Sequence, residues 1–63
     1  MYFKNLKMLR KERELTQAQV AQVLYCQREV YRRYESGQSE LPISYAFILA
    51  DFYGVSLGKL LEI

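Results

Sequence analysis

The sequence predicts an all-α fold, a compact domain of five short helices, and three observations carry that expectation. Apolar residues recur at the i, i+3, i+4 spacing of a helix face in one segment after another. Start and stop signals at Thr16, Ser36-Gly37, Pro42, Gly54 and Ser56 separate those segments. The length of 63 residues allows one domain that buries only about 60% of its unfolded surface. A composition 51% apolar, with six Tyr and three Phe, still marks a chain that folds, because each aromatic buries a large area. The stretch Leu15 to Gly37 reads as two short helices joined by a tight turn, and the rest of the chain is arranged around it.

Helix 1 is expected over residues 3–13. Tyr2, Phe3, Leu6, Leu9, Arg10 and Arg13 fall on one side, with Lys4, Lys7, Lys11 and Glu12 on the other. Arg10 stands inside the apolar stripe, where an unpaired guanidinium is costly, so it must either snorkel out or meet a carboxylate. Thr16 with Gln19 three residues on is a capping box that starts helix 2, over 17–24. Val20, Ala21 and Leu24 give it an inward face, and small Ala21 lets another helix cross closely.

Helix 3 follows over 27–35. Projected at 3.6 residues per turn, Arg28, Glu29, Arg32 and Arg33 share one face, while Val30, Tyr31 and Tyr34 occupy the opposite one. Ser36-Gly37 ends it, with Gly37 suited to the left-handed residue of a C-cap. Residues 38–41 form a polar connector, and Pro42 suits the first turn of helix 4. That helix, over 43–53, is apolar almost all round, which marks it as the most buried of the set. Gly54 closes it, and Ser56 is placed to cap a short helix 5, over 57–62, containing Leu57, Leu60 and Leu61.

Composition narrows the function classes. The formal net charge is only +2, so an argument for nucleic acid rests on where the charges sit. One Cys and no His exclude an internal disulfide and argue against a metal site. Without His, a second Cys, clustered carboxylates or a Gly-rich phosphate loop, no catalytic constellation can be assembled, and neither a cofactor nor a small-molecule ligand is expected. The opening MYFKNLKMLRK has no continuous apolar core, and no run approaches the ~20 residues that span a bilayer. A soluble cytoplasmic protein is expected.

The string Leu15-Thr16-Gln17, Val20-Ala21, Leu24, Tyr31, Tyr34-Glu35-Ser36-Gly37, Pro42, Leu49-Ala50-Asp51-Phe52-Tyr53, Val55-Ser56-Leu57 and Leu60-Leu61 closely resembles the phage repressor/Cro-type (XRE-like) helix-turn-helix family, over about residues 5 to 62. The resemblance implies a lambda-repressor-like DNA-binding domain in which helix 3 enters the major groove and the start of helix 2 lies against the phosphate backbone. It also implies a pair between Arg10 and Glu35 that ties helix 1 to the end of the reading helix. Fold alone does not establish function, so the argument passes to the residues of the site.

Double-stranded DNA is the expected partner and transcriptional repression the expected role. Arg28, at the start of helix 3, is the first candidate for base reading, with Arg32 one turn on and Arg33 beside it. Glu29 has two readings: a base contact that accepts from cytosine N4, or a solvated pair with Arg33 four residues later. Gln17, at the start of helix 2, is placed for a phosphate contact and, by the resemblance, for support of Arg28. Gln27, Lys7, Arg13 and Gln38 are further candidates for the flanking backbone, each equally readable as plain surface.

Two positions depart from the resembling family. Tyr25 stands where relatives usually have Gly, and Gln27 where they usually cap helix 3 with Ser or Thr. A positive φ at Tyr25 is expected to cost about 1–2 kcal/mol, and a missing cap about 1 kcal/mol more. Alternatively, the Tyr25 ring presses on a neighbour or on a sugar-phosphate edge. Cys26 reads as a small buried hydrophobe rather than a redox switch. Surplus apolar residues, Tyr45, Phe47, Ile48 and those of helix 5, either fill a small core or build a homodimer. The competing function is a protein-interaction module on the same fold, an antitoxin or scaffold, which has no need of an outward arginine face.

Overall fold

A computed structural model describes all residues, 1–63, as five α-helices with no strand. They are α1 (Lys4–Glu12), α2 (Gln17–Val23), α3 (Arg28–Ser36), α4 (Ile43–Tyr53) and α5 (Leu57–Leu60). The expected boundaries agree to within one or two residues, and helix 4 has the bounds expected of it. Pro42 stands just before α4, as its extended N-cap, and not in its first turn.

The punctuation marks of the sequence have their physical counterparts. Thr16 and Gln19 complete both halves of the capping box: the Gln19 N–H donates to Thr16 Oγ1 at 3.1 Å, and the Thr16 N–H donates to Gln19 Oε1 at 2.8 Å. Ser56 Oγ accepts from the Lys59 N–H at 3.0 Å and starts α5.

Three helices end in the same backbone device. After α1 the Glu14 and Leu15 N–H groups return to the Lys11 and Arg10 carbonyls, after α2 those of Tyr25 and Cys26 return to Gln22 and Ala21, and after α4 those of Gly54 and Val55 return to Asp51 and Ala50. This is the Schellman pattern, which requires a left-handed residue at its centre. Glycine fills that place only after α4; Glu14 (φ 55°) and Tyr25 (φ 56°) fill it after α1 and α2. Positive φ at Tyr25 accords with the expectation drawn from its place in the turn, and its ring is 95% exposed, pressing on nothing within the chain. Glu14 carries the same strain without forewarning, because nothing in its identity marks a left-handed residue.

The core gathers Leu6 and Leu9 from α1, Val20, Ala21 and Leu24 from α2 and its C-cap, Tyr31 and Tyr34 from α3, and Ala46, Leu49, Ala50 and Tyr53 from α4, closed by Leu60. Asn5, fully enclosed, donates to the Lys59 carbonyl at 2.7 Å and pins α1 to α5. Cys26 is half-buried against the core and burial pushes its thiol pKa up, the behaviour of a packing residue.

Helix α4 corrects an expectation. It is not buried all round: Ala46, Leu49, Ala50 and Tyr53 face inward, while Ile43, Phe47, Ile48 and Phe52 lie in the open. A helix in so small a domain has neighbours on one side only, and two alanines on that side let it pack closely. Tyr45 follows the core-filling reading, half-buried with its ring edge-on to Tyr34 at 6.0 Å between centroids. Helix α5 buries Leu60 in the core and packs Leu57 and Leu61 half-buried against it.

Candidate nucleic-acid interface

The site begins with what fixes α3. Arg10 reaches across from α1 and grips Glu35 with two bonds, Nε to Oε2 at 2.6 Å and Nη2 to Oε1 at 3.1 Å. Its remaining arm, Nη1, donates to the Leu15 carbonyl at 2.9 Å. Gln17, at the start of α2, donates its amide to Glu35 Oε1 at 3.2 Å. One carboxylate therefore holds α1, α2 and α3 together, and both members of the pair are buried. Burial alone would push the Glu35 carboxyl pKa up, but the bonds from Arg10 and Gln17 and the nearby Tyr31 phenol override it and hold the carboxyl below its ordinary range. The Glu35 bond in turn raises Arg10. Burial and the Glu35 charge push the Tyr31 phenol far up, and the same two causes push Tyr53 up to about 12. Neither phenol hydroxyl completes a well-formed hydrogen bond.

With its underside fixed, α3 turns its charged face outward. Arg28 and Arg33 are exposed, and Arg32 is partly so. Glu29 takes Arg32 in a second two-bonded fork, Nε to Oε1 at 2.9 Å and Nη2 to Oε2 at 2.7 Å, with Arg33 Nε more distant at 3.7 Å. The main partner of Glu29 is thus Arg32, three residues on, rather than Arg33. The fork holds the Glu29 carboxyl below its ordinary range and raises Arg32. Gln38, from the connector after α3, places its Oε1 3.3 Å from Arg32 Nη2.

Two adjoining depressions run along this side of the molecule. One is lined by Lys7, Arg10, Lys11, Leu15, Thr16, Gln17 and Arg28, the other by Tyr2, Lys7, Gln17, Arg32, Glu35 and Ser36. Lys7 and Gln17 belong to both, so α1, the start of α2 and the face of α3 form one continuous band. Glu35 is buried and neutralised by Arg10, and Glu29 pairs with Arg32, which leaves the band's uncompensated charge to Lys7, Lys11 and Arg28. A band of exposed cations beside an exposed helix face is the electrostatic footprint that a phosphate backbone requires.

Among the residues singled out from the sequence, Lys7, Gln17, Arg28 and Arg32 come together in this band, with Glu29, Arg33 and Gln38 beside them. Gln27 is exposed at the N-cap of α3 and makes no side-chain cap bond, as its departure from the family pattern implied. Arg13 donates to the Tyr53 carbonyl at 2.7 Å and lies 5.2 Å over the Tyr53 ring, so within the chain its guanidinium serves the negative end of α4. Gln17 donates its amide N–H to Glu35, and its amide oxygen, the only atom of the side chain that could accept from Arg28, makes no bond within the chain. Lys11 and Thr16 join the lining unforeseen. Lys11 repeats Lys7 one helical turn later, and that repeat was the signal available in the sequence.

No three metal-binding side chains converge, and no helix is long and apolar enough to cross a membrane. No curated protein matches the chain. A helix-turn-helix family model matches residues 6–60. With α2 and α3 as the paired helices and nearly every residue covered by that match, the chain belongs to the XRE, or Cro/C1-type, helix-turn-helix family of DNA-binding regulators.

Proposed function

We propose that the protein is a sequence-specific double-stranded DNA-binding transcription regulator of the cytoplasm that acts as a repressor, reading the major groove with α3. The observation that carries this reading is the joint placement of Arg28 and Arg32 on the outer side of a helix whose inner side is locked by Arg10 and Glu35. A guanidinium on a fixed helix can meet guanine O6 and N7 with both arms, and each such pair is worth about 1–3 kcal/mol of discrimination. Lys7 and Lys11 take the flanking phosphates, with Gln17, Gln27, Gln38 and Arg33 at the margins.

A homodimer follows from the stripe Ile43, Phe47, Ile48 and Phe52 on α4, exposed on a domain too small to leave such residues idle. Two copies related by a two-fold axis set two reading helices about 34–36 Å apart and require a palindromic operator. The same stripe favours a second reading, a protein-interaction module such as an antitoxin or scaffold that uses α4 for its partner.

Selection of bound sequences from random duplex, run with the wild type and Arg28→Ala at two salt concentrations, tests the proposal. A defined, palindromic site whose preference relaxes in the variant is the expected result. Uniform weakening would demote Arg28 to a phosphate contact, and a folded protein that binds no duplex would leave the interaction module as the function. Sedimentation at several concentrations, with Phe47→Asp beside the wild type, reads the dimer.

A further inference from the structure

We propose that Glu29 is a positioning residue: it aims Arg32 at a guanine and touches no base itself. The inference rests on the DNA-reading function proposed above and assigns the work within it.

The argument follows the five N–H bonds of the Arg32 guanidinium. Nε–H and one Nη2–H are taken by the two oxygens of Glu29, at 2.9 and 2.7 Å. The second Nη2–H faces Gln38 Oε1 at 3.3 Å. Only the two hydrogens of Nη1 are left without a partner. Glu29 therefore grips one edge of the fork and leaves the far end, formed by Nη1–H and the outer Nη2–H, pointing away from the carboxylate. That far end still has two parallel donors, the number guanine O6 and N7 accept. Gln38 holds one of the two by the longest bond of the set. Its amide oxygen stands where a guanine acceptor would come, and a neutral side chain on a connector is displaced at little cost.

The same geometry argues against Glu29 as a reader of cytosine. Both of its oxygens are engaged by Arg32, and Arg33 Nε lies 3.7 Å from one of them. A cytosine N4 donor would have to share an oxygen already bound in a charge-assisted, two-bonded pair and crowded by a second guanidinium. A free Arg32 would meanwhile be drawn to the nearest phosphate, which carries no sequence information. By holding the guanidinium, Glu29 exchanges some indiscriminate affinity for a base preference.

Duplex selection and salt titrations of affinity with the wild type, Arg32→Ala, Glu29→Ala and Glu29→Gln decide the matter. The wild type is expected to prefer guanine at one position of each half-site, and Arg32→Ala to lose that preference by about 5- to 150-fold. Glu29→Ala is expected to relax the preference at the same position, to bind non-specific duplex more tightly, and to steepen the salt dependence by about one phosphate contact. Glu29→Gln, which keeps one acceptor oxygen, should fall between. These side chains are exposed, so a melt alongside verifies that each variant folds. Loss of a cytosine preference at a different position in Glu29→Ala would make Glu29 a reader and overturn the inference. Full retention of the guanine preference in Glu29→Ala would overturn it too, while leaving the DNA-reading function standing. A wild type that prefers no sequence would overturn both.

Discussion

The two ends of α3 are built on opposite principles. Its last turn is over-determined: Glu35 is buried and takes bonds from Arg10 and Gln17, Gly37 stops the helix at φ 83°, and the backbone of Tyr2 packs against that glycine. Its first turn is entered through Tyr25 at φ 56°, and Gln27 offers no side-chain bond to the free N–H groups. The helix is thus anchored at its tail and enters uncapped at its head, where Arg28 projects. Placement of a reading helix needs one rigid reference, and here that reference is the largely buried Arg10–Glu35 pair at the floor of the site. The entrance is left free to carry residues that the fold alone would not choose.

The largest test of this contrast is removal of the tail anchor. Arg10→Met leaves a buried carboxylate without its cation and strands the Leu15 carbonyl, a change expected to cost about 3–5 kcal/mol. A domain of this length has a total stability of roughly 3–9 kcal/mol, so the variant should be largely unfolded near physiological temperature. Arg10→Met with Glu35→Leu should recover most of the loss, since two apolar side chains need no compensation. Urea midpoints read both. If Arg10→Met alone melts like the wild type, the tail is not the reference.

Acid and alkali attack the same end, in that order of interest. The folded Glu35 carboxyl lies below the ordinary value of 4.5, so the protein binds fewer protons there than its unfolded chain. Its contribution is complete above that value and drains away as pH falls through the lower, folded one. Tyr31 and Tyr53 are shifted the other way, above the ordinary 10.0. Their contribution is complete below that value and is lost as the pH rises beyond it. Urea midpoints measured from about pH 3 to pH 11 should therefore form a plateau with two falling flanks. A flat acid flank would mean that Glu35 is not held below its ordinary range.

The contrast also marks what sequence reasoning reaches. An arginine inside an apolar stripe demands a carboxylate, and the family resemblance named Glu35; the capping box and Gly37 were equally plain, because each is a chemical need tied to one residue type. The α4 face was not legible, since an all-apolar helix carries no phase and only the placement of its neighbours decides which residues stay outside. Arg13 was ambiguous for a similar reason: a cation at a helix end suits a phosphate and a helix C-terminus alike, and the Tyr53 carbonyl is brought near by the fold rather than by spacing. For Glu29 the partners at i+3 and i+4 were both permitted by helix geometry, and rotamers selected Arg32.

Smaller effects test the glycine and the missing glycine. Gly37→Ala places a Cβ 3.2 Å from the Tyr2 Cα and strains a φ of 83°, so about 1–3 kcal/mol of stability should be lost. At the head, Tyr25→Gly relieves a left-handed tyrosine whose ring touches nothing, and stability should rise by about 1 kcal/mol. Opposite signs in thermal melts of these two variants would confirm that the tail is optimised for fold and the head is not. A fall in melting temperature for Tyr25→Gly would instead mean that the tyrosine ring serves the free protein.

The smallest effect sharpens the contrast most, because it separates folding from binding at one residue. Gln27 already has the extended conformation of an N-cap, φ −76° and ψ 151°, but its side chain is too long to return to the first turn. Gln27→Ser supplies a hydroxyl that can accept from the N–H of Glu29 or Val30, a gain of about 0.5–1 kcal/mol, or roughly 4 °C in melting temperature. If Gln27 also donates its amide to a phosphate, the variant should bind every duplex more weakly by the same factor. The salt dependence should stay unchanged, because a neutral amide releases no counterion. Higher stability with unaltered affinity would leave Gln27 as an unfilled cap and nothing more. Higher stability with uniformly weaker binding would mean that the chain gave up a helix cap at the head of α3 to hold its DNA.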